Sequence, residues 1–347
     1  MGTRSRRTAL IALTSLTLAL TAVPAAHAAS ASCREVDLPV SLTRGQAAGE
    51  HVHGRLCQPA GSHPRTVQLL LPGLTYDHTY WDLPDREDTG RYSYTRAATA
   101  AGAATFALDR IGTGASSHPT GLAVTVDSNA FVVHQVVAAL RSGAVDPAGF
   151  GSVVLVGHSY GSWVSWYEAS DYQDVDAVVL SGISHQINLT APVRLLPNFY
   201  PAALDHAFTG RGLDPTYLTS QPGQRYMMFA DPAPVDPALR AYDEAHKQTV
   251  TAGEIANFPL ILVRPLDIRV PVLLVNGTED RLFCGVPGGA DCSSAQALTA
   301  AERPRLGGRV PSVDAFVLPG SGHDLNEAPN ARDWFAVAQR WIARTAP

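Results

Sequence analysis

The constraint that most limits this chain is a single turn. Ser152–Val156 (SVVLV) is a continuous apolar run and reads as a strand buried on both faces. It leads straight into Gly157-His158-Ser159-Tyr160-Gly161, and a helix is expected from about Tyr160 to Ala169. A bare G-x-S-x-G string is a weak signal. Between a strand and a helix it is strong, because that tight turn forces the serine into a strained backbone and the flanking glycines relieve collisions. Ser159 Oγ is thereby expected at the carboxyl end of a central strand, where open α/β sheets place their ligands.

The surrounding pattern agrees. Arg34–Leu42 and Glu50–Leu56 read as a hairpin, and Thr66–Leu71 (TVQLLL) and Ala104–Leu108 as buried strands. Tyr92–Ala101 reads as a helix, as does a segment ending at Arg141, capped by Asp127 or Ser128. Ala177–Leu180, Val270–Val275 and Val313–Leu318 are further strands, and Asn330–Arg344 closes the chain as an amphipathic helix. Strand and helix in alternation predict a mainly parallel sheet with helices on both faces. The alternation breaks between about Ser184 and Asp267. These ~85 residues contain Phe199, Tyr200, Phe208, Tyr217, Tyr226, Met227, Met228 and Phe229, read as irregular helical pieces. An insertion of that length is a cap or small subdomain, and most of its aromatics are expected to form its own core.

A serine alcohol needs a base, and the base needs an orienting acid. His323 fits as base. It lies in Pro319-Gly320-Ser321-Gly322-His323, between the strand Val313–Leu318 and the last helix. The acid is assigned to Asp280 in Asn276-Gly277-Thr278-Glu279-Asp280, after the strand Val272–Val275, with Glu279 as its competitor. The oxyanion donors are expected to be the backbone N–H groups of Tyr160 and Leu74. Leu74 sits in the turn Pro72-Gly73-Leu74-Thr75, where Pro72 has no N–H to give. His158 is expected to be buried. His51 and His53 share a strand face and could form a metal pair, but no third ligand follows. No metal and no cofactor are expected.

Together these segments resemble the α/β-hydrolase-fold serine hydrolases, of esterase or lipase type, with a cap. The resemblance runs through Pro72-Gly73-Leu74, Asp109-Arg110-Ile111-Gly112-Thr113-Gly114-Ala115-Ser116, the serine turn, Gly277–Asp280 and Gly322-His323. Asp109–Ser116 is similar to that family's D-x-x-G-x-G-x-S turn, and Pro72 stands where many members carry histidine. The resemblance implies a mostly parallel, eight-stranded type of sheet, with a helical cap inserted before the strand preceding the acid. It implies cofactor-free hydrolysis of esters, lactones, thioesters or amides. Haloalkane and epoxide chemistry on this fold uses a carboxylate nucleophile, and here the residue is serine.

The first 28 residues carry Arg4, Arg6 and Arg7, an apolar run from Thr8 to Val23, and Ala26-His27-Ala28. That is the pattern of a secretory signal cleaved after Ala28. Ser5-Arg6-Arg7-Thr8-Ala9-Leu10 also partly matches a twin-arginine signal, so the general and twin-arginine routes stay open. The expected organisation is an export signal at 1–28, core at 29–183, cap at 184–268 and core again at 269–347. Four cysteines in a secreted chain imply two bridges, assigned as Cys33–Cys57 and Cys284–Cys292 by nearness in sequence. Without the signal the formal charge moves from −5 to −8, the wrong sign for a nucleic-acid partner. No apolar stretch reaches membrane-spanning length, so no stable membrane insertion is expected.

The expected reaction is extracellular cleavage of a carboxylic ester with a small, apolar acyl substrate. A peptidase or amidase is the alternative, with Asp231, Asp236, Asp243 and Glu244 as candidates to bind a free amino terminus. A non-catalytic ligand-binding protein of the same fold is the reading from another class.

Overall fold

The structure is a computed structural model that describes residues 1–3 and 31–346. The export-signal reading rests on residues 4–28 and lies outside them.

Eight strands form the main sheet: β1 (Ala31–Val40), β2 (Glu50–Pro59), β3 (Thr66–Leu71), β4 (Ala104–Leu108), β5 (Ser152–His158), β6 (Ala177–Ser181), β7 (Val272–Gly277) and β8 (Val313–Leu318). Their spatial order is β1-β2-β4-β3-β5-β6-β7-β8. β1 and β2 pair antiparallel, as do β2 and β4, and every other pairing is parallel. The apolar runs sit in the middle. Every residue of β4, β5, β6 and β7 is buried, which explains why their sequences do not alternate.

The chain goes from β3 outward to β4, then returns to β5 on the other side of β3. The crevice at the carboxyl ends of β3 and β5 is therefore the topological switch point of the sheet. The turns after these two strands are Pro72–Thr75 and the serine turn.

Helices α1 (Tyr94–Ala100), α2 (Val126–Ser142), α3 (Tyr160–Asp171), α4 (Ala295–Glu302) and α5 (Ala331–Thr345) cover the sheet. α1 packs on α5 and α2 packs on α3, so the helices form two separate groups. α2 starts earlier than expected. Thr125, not Asp127 or Ser128, is its N-cap, and Ser128 is the reciprocal partner in a capping box. The Thr125 hydroxyl accepts from Ser128 N, while Thr125 N donates to Ser128 Oγ at 2.8 Å.

Between β6 and β7 the chain builds a second, three-stranded antiparallel sheet from Phe199–Pro201, Tyr217–Ser220 and Val250–Thr251. The sequence reading anticipated only helical pieces here. Strands of two to four residues are too short to show an alternating pattern. Phe208 and Tyr217 form a small separate core with Ala202, whereas Met228 and Phe229 join the main core. Met227 is exposed.

Both expected cysteine pairs are at bonding distance. Cys33 and Cys57 face each other across β1 and β2 with S–S 2.07 Å, and Cys284 and Cys292 lie at 1.95 Å. Among the described residues, no helix is long and apolar enough to cross a membrane.

Candidate active site

Ser159 has φ 53° and ψ −120°, a conformation that costs of order 1–3 kcal/mol for a residue with a side chain. The surroundings hold it there. Its N–H donates to Ser181 O at 2.9 Å, and its carbonyl accepts from Ser162 N and Trp163 N. Close approach explains the two glycines of the turn. A Cβ on Gly157 would lie 2.6 Å from Gly161 O, and one on Gly161 would lie 2.1 Å from Leu71 O. Side chains at either position would push α3 away from β3 and β5. A Cβ on Gly73 would sit 3.1 Å from Ser159 Cβ, so the turn after β3 lies directly beside the serine.

His323 and Asp280 come together: Nδ1 lies 3.0 Å from Asp280 Oδ2. Asp280 Oδ1 accepts from Leu282 N at 2.9 Å and Phe283 N at 3.2 Å, so one oxygen anchors the acid and the other meets the imidazole. Glu279 is exposed, and its backbone N–H donates to Ser321 O. His323 N donates to Phe229 O at 3.0 Å, which pins His323 to the segment between β6 and β7. The His323 ring is buried, and its Nε2 has no hydrogen-bond partner among the described residues. No hydrogen bond joins Ser159 and His323 there. A buried ring nitrogen without a partner requires an explanation, and proton exchange with a reacting group is one. Burial disfavours the imidazolium, but the Asp280 and Asp324 carboxylates outweigh it and raise the His323 pKa above its ordinary value.

His158 is fully buried, as expected, but it has a role the sequence reading missed. Its Nε2 lies 3.1 Å from Asp324 Oδ1, and its ring stacks on Tyr80 with centroids 4.5 Å apart. Tyr76 OH donates to Asp324 Oδ2 at 2.7 Å. Burial pushes the Asp324 carboxyl up, yet the hydrogen bond and charge of His158 hold it below the usual range. This second acid–imidazole pair sits against the first, with the His158 and His323 rings 4.9 Å apart.

Leu74 and Tyr160 are both buried. The Tyr160 N–H belongs to the first turn of α3, where no intrahelical acceptor exists. Aromatic rings flank His323. Phe229 lies 6.2 Å and Phe283 5.6 Å from the His323 ring, and Trp163 packs edge-on against Phe283 and Phe258. A cavity of about 440 Å³ lies beside the acid turn, lined by polar groups including Asn188, Arg194 and Glu279.

The histidine pair reads differently in three dimensions. His53, His78 and Asp109 bring ligand-type atoms within 4.8 Å of one another, so a third group does join His53, but from distant segments. These atoms already bond to protein groups. His53 meets Asp37 and Glu35, and Asp109 meets His78 and Ala115 N. Backbone groups of His53 tie the Asp109–Ser116 turn to the N-terminal hairpin, with Asp109 N donating to His53 O at 2.9 Å and His53 N to Ser116 Oγ at 2.8 Å.

The four acids weighed for an amino-terminus site are also engaged. Asp243 is buried against Arg225, Asp231 meets Arg194 and Arg281, and Glu244 meets Lys247. Asp236 caps the helix Pro237–Ala245.

The family model for the alpha/beta hydrolase family matches residues 68–338. The chain belongs to the alpha/beta hydrolase family. Solved structures share its fold at low identity. A soluble variant of monoglyceride lipase from Saccharomyces cerevisiae is 12% identical with TM-score 0.59, covering 89% of this chain and 97% of that one. An alpha/beta hydrolase fold protein from Chitinophaga pinensis is 13% identical with TM-score 0.54, covering 90% and 98%. An epoxide hydrolase from Vigna radiata is 17% identical with TM-score 0.55, also covering 90% and 98%. No curated protein sequence matches the chain. As a member of this family, the protein is a hydrolase.

Proposed function

We propose that this hydrolase is an extracellular serine esterase. One observation carries the reading. His323 is held through Nδ1 by Asp280, while its Nε2 is buried without a partner. That is the state of an imidazole ready to accept a proton at Nε2.

In this reading Ser159 Oγ attacks the ester carbonyl carbon as His323 Nε2 takes its proton. Asp280 keeps the proton on Nδ1 and stabilises the imidazolium. The carbonyl oxygen becomes an oxyanion facing the N–H groups of Leu74 and Tyr160. His323 then protonates the departing alkoxide, leaving an acyl group on Ser159. Water, deprotonated by the same nitrogen, releases the acid. The chemistry needs no cofactor.

The rings of Phe229, Phe283 and Trp163 favour an apolar acyl group. The 184–268 segment is read as the cap, since it supplies Phe229. Two cysteine bridges and the basic-apolar leader favour export. A serine at this turn favours ester cleavage over the epoxide chemistry of some neighbours. The peptidase alternative loses its best candidates, because Asp231, Asp236, Asp243 and Glu244 each have a partner.

The test is a panel of p-nitrophenyl esters, lactones and aminoacyl amides with purified mature protein and its Ser159→Ala variant. Ester turnover lost in the folded variant is the expected result. Retained turnover, or preference for the aminoacyl amides, rejects the esterase reading. Fluorophosphonate labelling that disappears in Ser159→Ala excludes the non-catalytic alternative.

A further inference from the structure

Two buried arginines converge on the turn Pro72–Thr75. Arg110 comes from the Asp109–Ser116 turn. Its Nε donates to Pro72 O at 3.0 Å and its Nη2 to Gly73 O at 3.1 Å. Its Nη1 meets Glu254 and Asn129, and its guanidinium lies 4.9 Å from the Tyr160 ring centroid. Arg225 comes from the inserted segment. It forms a two-bond pair with Asp243, both at 2.7 Å, and its Nη1 donates to Thr75 Oγ1 at 2.8 Å. Gln248, also in the insertion, donates its backbone N–H to Thr75 O at 2.9 Å.

These contacts act on the atoms that matter for an oxyanion hole. A peptide unit is planar and trans, so its C=O and N–H point in opposite directions. Fixing Gly73 O therefore fixes the direction of the Leu74 N–H. Thr75 has φ 60°, a left-handed conformation unfavourable for a β-branched residue, and it is fully buried. Its hydroxyl and carbonyl are the points gripped by Arg225 and Gln248. Glu254, Asp243 and Gln248 all belong to the segment between β6 and β7.

We propose that Arg110 and Arg225 are positioning residues that aim the Leu74 N–H at the reacting oxygen, and that the inserted segment, through Glu254, Asp243 and Gln248, is a structural part of the oxyanion hole. This rests on the serine-hydrolase reading above. Neither arginine touches the reacting atoms. Each acts through the turn. The consequence is that this part of the insertion stays docked during turnover.

Arg110→Lys and Arg225→Lys test it, because each keeps a cation beside its carboxylate and loses the planar fork. Two readouts are used: steady-state ester hydrolysis, and the rate at which a fluorophosphonate modifies Ser159. Loss of one oxyanion donor typically costs 10²–10³ in kcat, so a misaimed donor should cost at least about tenfold. The expected result is kcat and kcat/KM falling together, KM little changed, and the labelling rate falling by a similar factor. Should a lysine variant not fold, an Arg110→Met, Glu254→Met double variant replaces the buried pair with apolar groups of similar volume and keeps the test available.

A folded variant whose kcat and labelling rate stay within about threefold of wild type overturns the proposal, as does a rise in KM with kcat unchanged. The two readouts separate this from the esterase reading. If wild type labels at Ser159 but cleaves no ester, the substrate assignment fails and the labelling rates still decide the role of the arginines. If Ser159 does not label at all, both fall.

Discussion

His323 sits between opposing effects. Burial disfavours its charged form, and the carboxylates of Asp280 and Asp324 favour it, with the net result a raised pKa. The proposed role as base requires the neutral ring, so kcat/KM is expected to rise with pH, with a midpoint above 6.5. Asp280→Asn removes one stabilising charge. In that variant the midpoint should move down, and kcat should fall by about 10⁴ from loss of the correct tautomer. Glu279→Gln should leave both nearly unchanged, because Glu279 faces solvent. A larger loss in the Glu279 variant would move the acid role there. The residues legible in the sequence were those with a local signature: a serine between two glycines, and a histidine in a glycine-rich loop after a strand. Asp324 adjoins that histidine and was still missed, since its partner His158 is 166 residues away. Arg110 lies in a motif that was read, yet its proposed role depends on Glu254, 144 residues further on. Pairs formed only by tertiary folding leave no spacing to find.

Among the elements, α3 carries a conspicuous cost. Glu168 is fully buried, and neither carboxyl oxygen has a hydrogen-bond partner among the described residues. Burial first, and then the nearby Asp174 carboxyl, push its pKa well above the usual range. The folded protein therefore holds a proton there that the unfolded chain releases above its ordinary pKa of about 4.3. Stability is lost as pH rises through that window. Glu168→Gln is expected to gain on wild type progressively above that pH and to match it below, as read by thermal unfolding from pH 4 to 8. A constant offset across that range would contradict this. The central strands were the most legible elements because burial on both faces makes each a continuous apolar run. The start of α2 was misplaced by one capping pair, since Thr125 and Ser128 are both good capping residues. The three short strands of the insertion were invisible for want of length.

For the molecule as a whole, the two bridges differ in what they enclose. Cys33–Cys57 spans 24 residues of the N-terminal hairpin, and Cys284–Cys292 spans eight beside the acid turn. Chain entropy makes the longer loop the larger contributor, with about 3 kcal/mol for a loop of this order. Replacing Cys33 and Cys57 by serine should lower the unfolding midpoint and leave kcat intact. Replacing Cys284 and Cys292 should lower the midpoint less but reduce kcat, because the bridge braces the backbone turn in which Cys284 N donates to Asp280 O at 2.8 Å. Equal kinetic effects from the two pairs would contradict this division. The proposed mechanism turns on one covalent event at Ser159. Mass spectrometry of a rapidly quenched reaction with a slowly hydrolysed p-nitrophenyl ester reads that event. An acyl mass on the peptide containing Ser159, formed with the burst of nitrophenol and absent in Ser159→Ala, is the expected result. Turnover with no adduct there, or with the adduct on another residue, would contradict it.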